Sequence, residues 1–359
     1  MADVAPCTGE DIDARVVAFA RGLIDRAAGV AGEPGPEQRY ALAGLGLALA
    51  TNGGTYRERL TRALRHSRVT GPSAEPALRV FALDGGAPGC EQPPGWPFPY
   101  AERRHLERLH VTADRNVYVT FSDETLTWHV FERESGRAAI WTANAACLPD
   151  WEYSFPMRIL LNWLFAPTAT TLAHAAVVGD GERGVLLAGA GGAGKSTTAM
   201  ACLEAGLGTC GDDFVAVSCR GEPRAYTLFD TVKLDEASLA RFPGLAGEVA
   251  NRDAPADTKA RIHLSGPRAD RLLRSCPIDA LLVPRVTPGA GTCIEPLSKG
   301  EGLRALAPTT LFLVRGTEAE TAAKLAALVR RLPTYTLRIG GEPAAAASAI
   351  QAFLKRGDA

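Results

Sequence analysis

Several features that identify other classes of protein are scarce or missing in this chain of 359 residues. The formal net charge is only -1, so no overall field attracts nucleic acid, and we expect no nucleic-acid partner. The densest apolar stretch, 159–166, is far shorter than the roughly 20 residues that cross a bilayer. The first residues lack the basic and apolar regions of a signal peptide. We therefore expect a cytoplasmic protein without a membrane partner.

The cysteines show no metal-binding pattern, and lysine is rare. The eight cysteines include no Cys-x-x-Cys pair and none stands beside a histidine at zinc-ligand spacing, so we interpret them as scattered reduced thiols. Lysine supplies six of the 39 basic residues, which draws attention to any lysine at a chemically suggestive position. An apolar fraction of 46% is typical of a globular protein, and the length fits two domains.

Residues 1–150 are predicted to form a smaller α+β domain. Helices are predicted at 10–28, 37–50 and 56–66, with Gly- and Pro-rich breaks between them. Alternation of apolar and polar residues predicts an antiparallel meander at 117–121, 125–131 and 138–142. His129 is a polar residue among apolar neighbours in this meander, and we interpret it as structural.

Residues 151–359 are predicted to form an α/β domain that carries the functional motifs. From residue 172 the pattern is strand, glycine loop, helix and strand. Further strands are predicted at 280–286, 292–297 and 335–339. Further helices are predicted at 299–306, 318–331 and 343–354.

A phosphate-binding motif follows the predicted strand 184–188. Its residues are Gly189, Ala190, Gly191, Gly192, Ala193, Gly194, Lys195 and Ser196, and a helix begins at Thr197. We expect these eight residues and Thr197 to bind nucleotide. This matches G-x-x-x-x-G-K-[ST] in the context of strand, loop and helix. The glycines let backbone N–H groups surround phosphate at the positive end of the helix. Lys195 would bind the β- and γ-phosphates of ATP, and the Ser196 hydroxyl would bind Mg²⁺.

The same loop also matches a dinucleotide fingerprint. Gly189, Gly191 and Gly194 fit G-x-G-x-x-G, and Asp212 stands near the position of a ribose-binding carboxylate. Lys195 and Ser196 favour the triphosphate interpretation, because a dinucleotide site does not require them.

An acidic pair and a histidine flank the loop in sequence. Asp212 and Asp213 end a predicted strand, and adjacent carboxylates are costly to bury without partners. Beside a phosphate loop, one would complete the Mg²⁺ shell and the other would accept a proton from an attacking hydroxyl. The sequence leaves open which does which. His174 precedes the loop by a length that suits a hairpin around 179–183, which would aim this histidine at the same cleft.

The spacing of these residues resembles the catalytic domain of the bacterial HPr serine kinase/phosphorylases. The resemblance rests on His174, the Lys195-Ser196 loop and Asp212-Asp213, and it covers the chain from about residue 171 onward. It implies a phosphoenolpyruvate-carboxykinase-like P-loop fold, with a mixed sheet and flanking helices. It also implies that these residues converge on the γ-phosphate, Mg²⁺ and an acceptor serine, with one Asp as general base.

The HPr-kinase-like proteins of modified-peptide biosynthesis, including lasso-peptide kinases, resemble the chain more closely. Pro156-x-Arg158, Val232-Lys233-Leu234 and Pro284-Arg285 carry that similarity. The Glu-x-Arg-Gly signature of true HPr kinases is absent, and the nearest candidate is Asp230-Thr-Val-Lys233. This departure leaves open whether HPr is the substrate, whether phosphorylase activity is kept, and whether the chain forms a homo-oligomer.

Two lysines and an arginine complete the candidate site. Lys233 and Lys259 follow the motif core in segments that could fold over a nucleotide and neutralise developing charge, or could simply be solvated. Lys259 lies in a polar loop, 251–261, that would suit a substrate lid. Arg285 would contact nucleotide or substrate, or form a structural ion pair.

These expectations favour an ATP- and Mg²⁺-dependent kinase that acts on a hydroxyl, with a serine of a peptide or small protein as acceptor. Catalytic roles are expected for His174, Lys195, Asp212, Asp213 and Lys233. One alternative is a kinase of a free small metabolite such as an amino acid or sugar. Another is an ATP-binding partner protein that transfers nothing. The first 150 residues would contribute to substrate recognition.

Overall fold

The chain divides into two units in the computed structural model, which describes residues 9–31, 37–71, 75–90, 92–98, 109–255 and 257–356. The first unit is built from the chain up to Arg62, Arg68–Tyr153 and Met157–Leu164. The second is built from Ala63–Ser67, Ser154–Pro156 and Phe165 onward.

An eight-stranded mixed sheet is the framework of the first unit. Its strands are β1 (Gln38–Leu42), β2 (Leu45–Thr51), β3 (Arg68–Val69), β4 (Leu78–Asp84), β5 (His110–Val111), β6 (Val117–Ser122), β7 (Thr127–Glu132) and β8 (Arg137–Thr142). Their spatial order is β3-β1-β2-β4-β8-β7-β6-β5. The pairs β2–β4 and β4–β8 are parallel, and the remaining pairs are antiparallel. The helices here are α1 (Gly9–Ala31), α2 (Gly54–Thr61), α3 (Asp150–Ser154) and α4 (Arg158–Phe165).

Helix α1 covers one face of this sheet. Val16, Leu23 and Ala27 are fully buried and recur at helical spacing, so they form one apolar stripe. The stripe shares a core cluster with Val119 and Val130 of the sheet. The helix predicted at 10–28 is confirmed.

The helix predicted at 37–50 is wrong, because this segment is the hairpin of β1 and β2. Its leucines and alanines favour a helix by propensity, but Leu45, Leu47 and Leu49 also alternate as a strand requires. The turn decides between them. Ala43 and Gly44 have φ angles of 48° and 82°, and positive φ at both central residues is typical of a type I′ hairpin turn.

The second unit contains a six-stranded mixed sheet, a four-stranded antiparallel sheet and a two-stranded hairpin. The six-stranded sheet orders β12 (Gly208–Gly211), β10 (Ala176–Gly179), β11 (Gly184–Leu187), β18 (Ala280–Val286), β20 (Thr334–Ile339) and β19 (Cys293–Pro296). The four-stranded sheet orders β17 (Ser275–Pro277), β14 (Arg224–Tyr226), β13 (Val215–Ser218) and β9 (Thr170–Ala173). The hairpin is β15 (Thr231–Leu234) with β16 (Ala260–His263). The helices are α5 (Lys195–Glu204), α6 (Glu236–Leu239), α7 (Lys299–Leu313), α8 (Glu318–Arg331) and α9 (Pro343–Arg356).

The six-stranded sheet is the middle layer of the second unit, because its strands β10 and β11 are buried on both faces. Val178 and Leu187 pack in a cluster with α5, α9 and the β15–β16 hairpin. Val177 and Leu186 point to the opposite face, where they pack with α8 and the four-stranded sheet. The predicted α/β class with a mixed sheet and flanking helices is confirmed at this level. Within the described ranges, no helix combines the length and the apolar character needed to cross a membrane.

The predicted meander is confirmed as β6, β7 and β8. His129 lies in the central strand of the three and is 5% exposed. Burial lowers its pKa to about 4, because a charged imidazole would lose its hydration there. His129 is therefore a neutral core residue in the folded protein at neutral pH.

This burial predicts a pH-dependent stability of the first unit. An unfolded histidine binds a proton below about pH 6.5, whereas folded His129 does so only near pH 4. The unfolding free energy should therefore fall by about 1.4 kcal/mol for each pH unit as pH drops through this window. Urea unfolding followed by tryptophan fluorescence measures it, since all five tryptophans belong to this unit. In His129→Leu this contribution should vanish, so the free energy of unfolding should fall less steeply with decreasing pH than in the wild type. The same slope in both proteins would contradict the assignment.

Candidate functional site

The glycine loop connects β11 to α5, in the context of strand, loop and helix that the motif requires. Gly192 and Gly194 have φ angles of 80° and 95°, which favour glycine. At Gly194 an added Cβ would lie 3.4 Å from Val286. Within the described part of the chain, the N–H groups of Gly191, Gly192 and Gly194 donate to no acceptor. The loop therefore offers free backbone donors at the N-terminus of a ten-residue helix.

Lys195 and Ser196 form the start of that helix and point to different partners. The Nζ of Lys195 donates to the carbonyl oxygens of Gly189 at 2.7 Å and Ala190 at 3.3 Å, so it lies across its own loop. The Oγ of Ser196 donates to Oδ1 of Asp212 at 3.0 Å. The structure thus brings the loop and the acidic pair together, although they are far apart in sequence.

Asp212 and Asp213 follow β12 and share a tight turn. The N–H of Phe214 donates to the carbonyl oxygen of Asp212 at 2.8 Å, which is the i to i+2 bond of a γ-turn. Asp213, the central residue, has a φ angle of 65°, a conformation that is uncommon for residues with a Cβ but is tolerated by Asp. This turn sends two adjacent carboxylates to different sets of partners.

Asp212 is the more deeply buried carboxylate, at 1% exposure. Burial raises its pKa, and the neighbouring charge of Asp213 raises it further, against the opposing effects of Ser196, Lys195 and Lys233. The backbone N–H of Lys233 approaches its Oδ2 at 3.5 Å. A carboxylate in this position is readily ionised only when a cation lies close to it.

Asp213 has two basic partners. The Nζ of Lys233 lies 3.0 Å from its Oδ2, and Nε2 of His174 lies 3.4 Å from its Oδ1. Burial by itself would raise the pKa of Asp213, but the hydrogen bonds and charges of His174 and Lys233 outweigh it and hold the pKa well below its ordinary range. Asp213 is therefore ionised at neutral pH.

Aromatic rings that sequence reasoning missed surround these basic groups. The Nζ of Lys233 lies 4.6 Å from the centre of the Phe155 ring, within cation–π range. Phe155 packs edge-on against Phe214 at 5.0 Å between ring centres, and Phe214 lies 5.8 Å from His174. The one sequence signal was that Phe214 directly follows the acidic pair; Phe155 is remote in sequence and gave none.

The sequence predicted His174 inside a strand that begins at residue 172. In the structure His174 lies instead between β9 and β10. Its backbone N–H donates to Oγ1 of Thr310 at 2.9 Å, and Thr310 is fully buried in α7. The predicted helix there ended at 306, but α7 continues through Pro308 to Leu313 and so carries Thr310 to the histidine. A proline inside a helix usually ends it, which explains the error.

Three predicted binding residues lie outside this set of contacts. Lys259 is exposed and directly precedes β16 of the hairpin. Thr197 shares a hydrogen bond with Ser238 at 2.9 Å between their Oγ atoms. Arg285 is exposed, and its guanidinium lies 3.6 Å from Glu301. Of the two roles predicted for Arg285, the structure shows the ion pair.

The dinucleotide alternative finds no support in the geometry. Asp212 is buried and bonded to Ser196, so its carboxylate is not presented to a ribose. In the dinucleotide fold the strands before and after the first helix are neighbours. Here β10 lies between β11 and β12.

The donor set fits Mg²⁺ and a triphosphate. Ser196 and Asp212 present oxygen atoms, and Mg²⁺ is usually held by one or two carboxylates together with phosphate oxygens and waters. Across the described ranges, no group of three or more His, Cys, Asp or Glu side chains is arranged to hold a metal by itself. A cation here would take its remaining ligands from phosphate oxygens and waters.

Comparisons with known proteins add little to this geometry. No family model matches the chain, and no curated protein matches it. Among solved structures, the HPr(Ser) kinase/phosphatase from Coxiella burnetii is similar over 52% of this chain and 97% of its own, at 10% identity and a TM-score of 0.30.

The contact between His174 and Thr310 predicts a measurable stability cost. In Thr310→Val the N–H of His174 loses its acceptor in a part-buried hydrogen bond, without a change in side-chain shape. The unfolding free energy of the second unit should fall by about 1–3 kcal/mol. The neighbouring Thr309→Val provides the control, because Thr309 is less buried and bonds only within its own helix. Equal losses in both variants, measured by chemical denaturation, would contradict a specific role for Thr310.

Proposed function

We propose that this protein is an ATP- and Mg²⁺-dependent kinase that transfers the γ-phosphoryl group to a serine hydroxyl of a peptide or small protein. The observation that carries the proposal is the 3.0 Å hydrogen bond between Ser196 of the glycine loop and Asp212, whose neighbour Asp213 lies between His174 and Lys233. The proposal includes a phosphoenolpyruvate-carboxykinase-like P-loop fold for the second unit. The acceptor class rests on the resemblance of the motif spacing to HPr-kinase-like proteins.

Each residue has a role that its surroundings support. The free N–H groups of the loop and the ammonium of Lys195 would bind the β- and γ-phosphates. Ser196 and Asp212 would hold Mg²⁺, which supplies positive charge that offsets the charge developing on the phosphates. Asp213 is assigned as the base, because it is ionised and is not bonded to the loop.

The proposed transfer step uses this arrangement. The acceptor oxygen forms a bond to the γ-phosphorus while the bond from that phosphorus to the β–γ bridging oxygen breaks, so ADP leaves. The acceptor proton passes to Asp213. Lys233 and His174 orient the Asp213 carboxylate through their contacts with its two oxygens. The positive charge of Lys233 would also stabilise negative charge that develops on the transferred phosphoryl group.

The decisive experiment incubates the protein with ATP, Mg²⁺ and serine-containing candidate peptides and looks by mass spectrometry for the gain of one phosphate. Free amino acids and sugars are tested in parallel. Phosphorylation of a free metabolite, with no peptide phosphorylated, would support kinase activity but contradict a peptide serine as the acceptor. ATP hydrolysis without any acceptor, unchanged in Asp213→Asn, would contradict the kinase and favour a nucleotide-dependent switch.

The loop and the acidic pair should respond differently to substitution. Lys195→Ala should lower kcat by about 10²–10³-fold, because a charge that stabilises the phosphates is lost. Asp213→Asn should lower kcat by about 10²–10⁴-fold, the range of a general base, while ATP still binds. Asp212→Asn should chiefly raise the Mg²⁺ concentration that the reaction requires.

A matched control for the lysine is Lys355→Ala, which removes an exposed lysine from the last turn of α9. This variant should keep full activity. Binding of ATP to each variant, measured by calorimetry, separates loss of nucleotide from loss of chemistry. Full activity in both Lys195→Ala and Asp212→Asn would overturn the proposed function.

A further inference from the structure

We propose that Asp230, His263 and Ser265 form a buried latch that positions Lys233 for the reaction, and we call these three residues the hairpin latch. The proposal rests on the proposed function. It concerns a cluster at the Asp230 end of the β15–β16 hairpin, which the mechanism above does not use.

The hairpin latch is built around a fully buried carboxylate. Asp230 directly precedes β15 and has 0% exposure. Its Oδ1 accepts a hydrogen bond from Nδ1 of His263 at 2.8 Å. Its Oδ2 accepts from the hydroxyl of Ser265 and from the N–H of Ser265, the latter at 3.3 Å. Because an ionised carboxylate only accepts, the Nδ1 atom of His263 carries the proton.

The backbone of Asp230 is held as firmly as its side chain. Its N–H donates to the carbonyl oxygen of Ala63 at 3.0 Å, and its carbonyl oxygen accepts from Leu264 at 2.8 Å. Asp230 thus joins the start of β15, the end of β16 and the Ala63–Ser67 segment, all within the second unit. The position of the residue that precedes β15 is therefore fixed on three sides.

The latch adds a polar anchor to a hairpin whose apolar side chains, among them Val232 and Ile262, already pack in the core. Two-stranded hairpins are marginally stable on their own, and β15 pairs only with β16 among the strands of the described ranges. The register aligns Thr231 with His263 and Lys233 with Arg261, so a displacement at the latch is passed two residues along the strand to Lys233.

Lys233 is sensitive to such a displacement because it meets the acidic pair at two points. Its backbone N–H approaches Asp212 at 3.5 Å, and its Nζ lies 3.0 Å from Asp213. A shift of the strand changes both contacts together, which a change of lysine rotamer alone cannot repair.

The chemistry of the latch also favours a positioning role over a purely stabilising one. A buried charged group often contributes little net stability compared with apolar residues of the same size, whereas fixing a register is the best-documented use of such groups.

The experiment compares two substitutions of one residue in the full-length protein. His263→Leu removes the donor to Asp230, whereas His263→Asn keeps an N–H donor near the position of Nδ1. The first readout is the rate at which Lys233 is acetylated by acetic anhydride, mapped by peptide mass spectrometry. The second is kcat and the KM for ATP. The rarity of lysine helps, since Lys355 provides an exposed internal reference.

In His263→Leu we expect acetylation of Lys233 to rise about 5-fold or more relative to Lys355, because the contacts with Asp213 and Phe155 that protect its Nζ loosen. We expect kcat to fall by about 10–100-fold, the scale of a small misplacement of a catalytic group, with little change in the KM for ATP. His263→Asn should restore both values to near those of the wild type.

Unchanged acetylation and kcat in a folded His263→Leu would overturn the proposal. If that variant does not fold, Ser265→Ala gives the same test, because the N–H of Ser265 still reaches Asp230, and a smaller change in the same direction is expected. A wild-type protein that phosphorylates nothing would contradict the proposed function alone. The acetylation readout would still decide whether the latch positions Lys233.

Discussion

The two adjacent carboxylates after β12 are the constraint on which the rest of the site depends. Asp212 is buried and the Asp213 side chain is 14% exposed, and Asp212 bonds to the glycine loop through Ser196 while Asp213 contacts His174 and Lys233. A γ-turn with positive φ at Asp213 separates their directions. Without this separation, two like charges would compete for one set of partners, and their mutual repulsion would be the main consequence of their proximity.

Elements from distant parts of the chain supply those partners, and each arrives by a different route. The loop comes from the middle sheet, His174 from the bend between two sheets, and Lys233 from a hairpin that belongs to neither. The site therefore lies where three substructures of one unit meet. Such an origin explains why positioning contacts, among them Thr310 and the hairpin latch, lie outside the reacting groups themselves.

Sequence reasoning identified the groups with local signals and missed those that depend on tertiary contact. The glycine loop, the acidic pair and His174 stand out by composition and spacing, and the hairpin of β10 and β11 was predictable from the residues between them. Leucine and alanine in 37–50 satisfied two periodicities at once, and only the turn at Ala43 and Gly44 decided between them. Phe155 and Thr310 carry no local signal, because their importance comes from what they touch. Which Asp faces the loop was likewise undecidable without the turn.

The division of the chain into its two units has a consequence for how the protein can be taken apart. The second unit includes Ala63–Ser67, and the carbonyl of Ala63 holds the backbone of Asp230. A fragment that begins near residue 150 would keep every motif residue and still lose one support of the strand that carries Lys233. One truncation point therefore does not separate the second unit intact. A shortened or transferred version of this unit would have to include the segment Ala63–Ser67 as well.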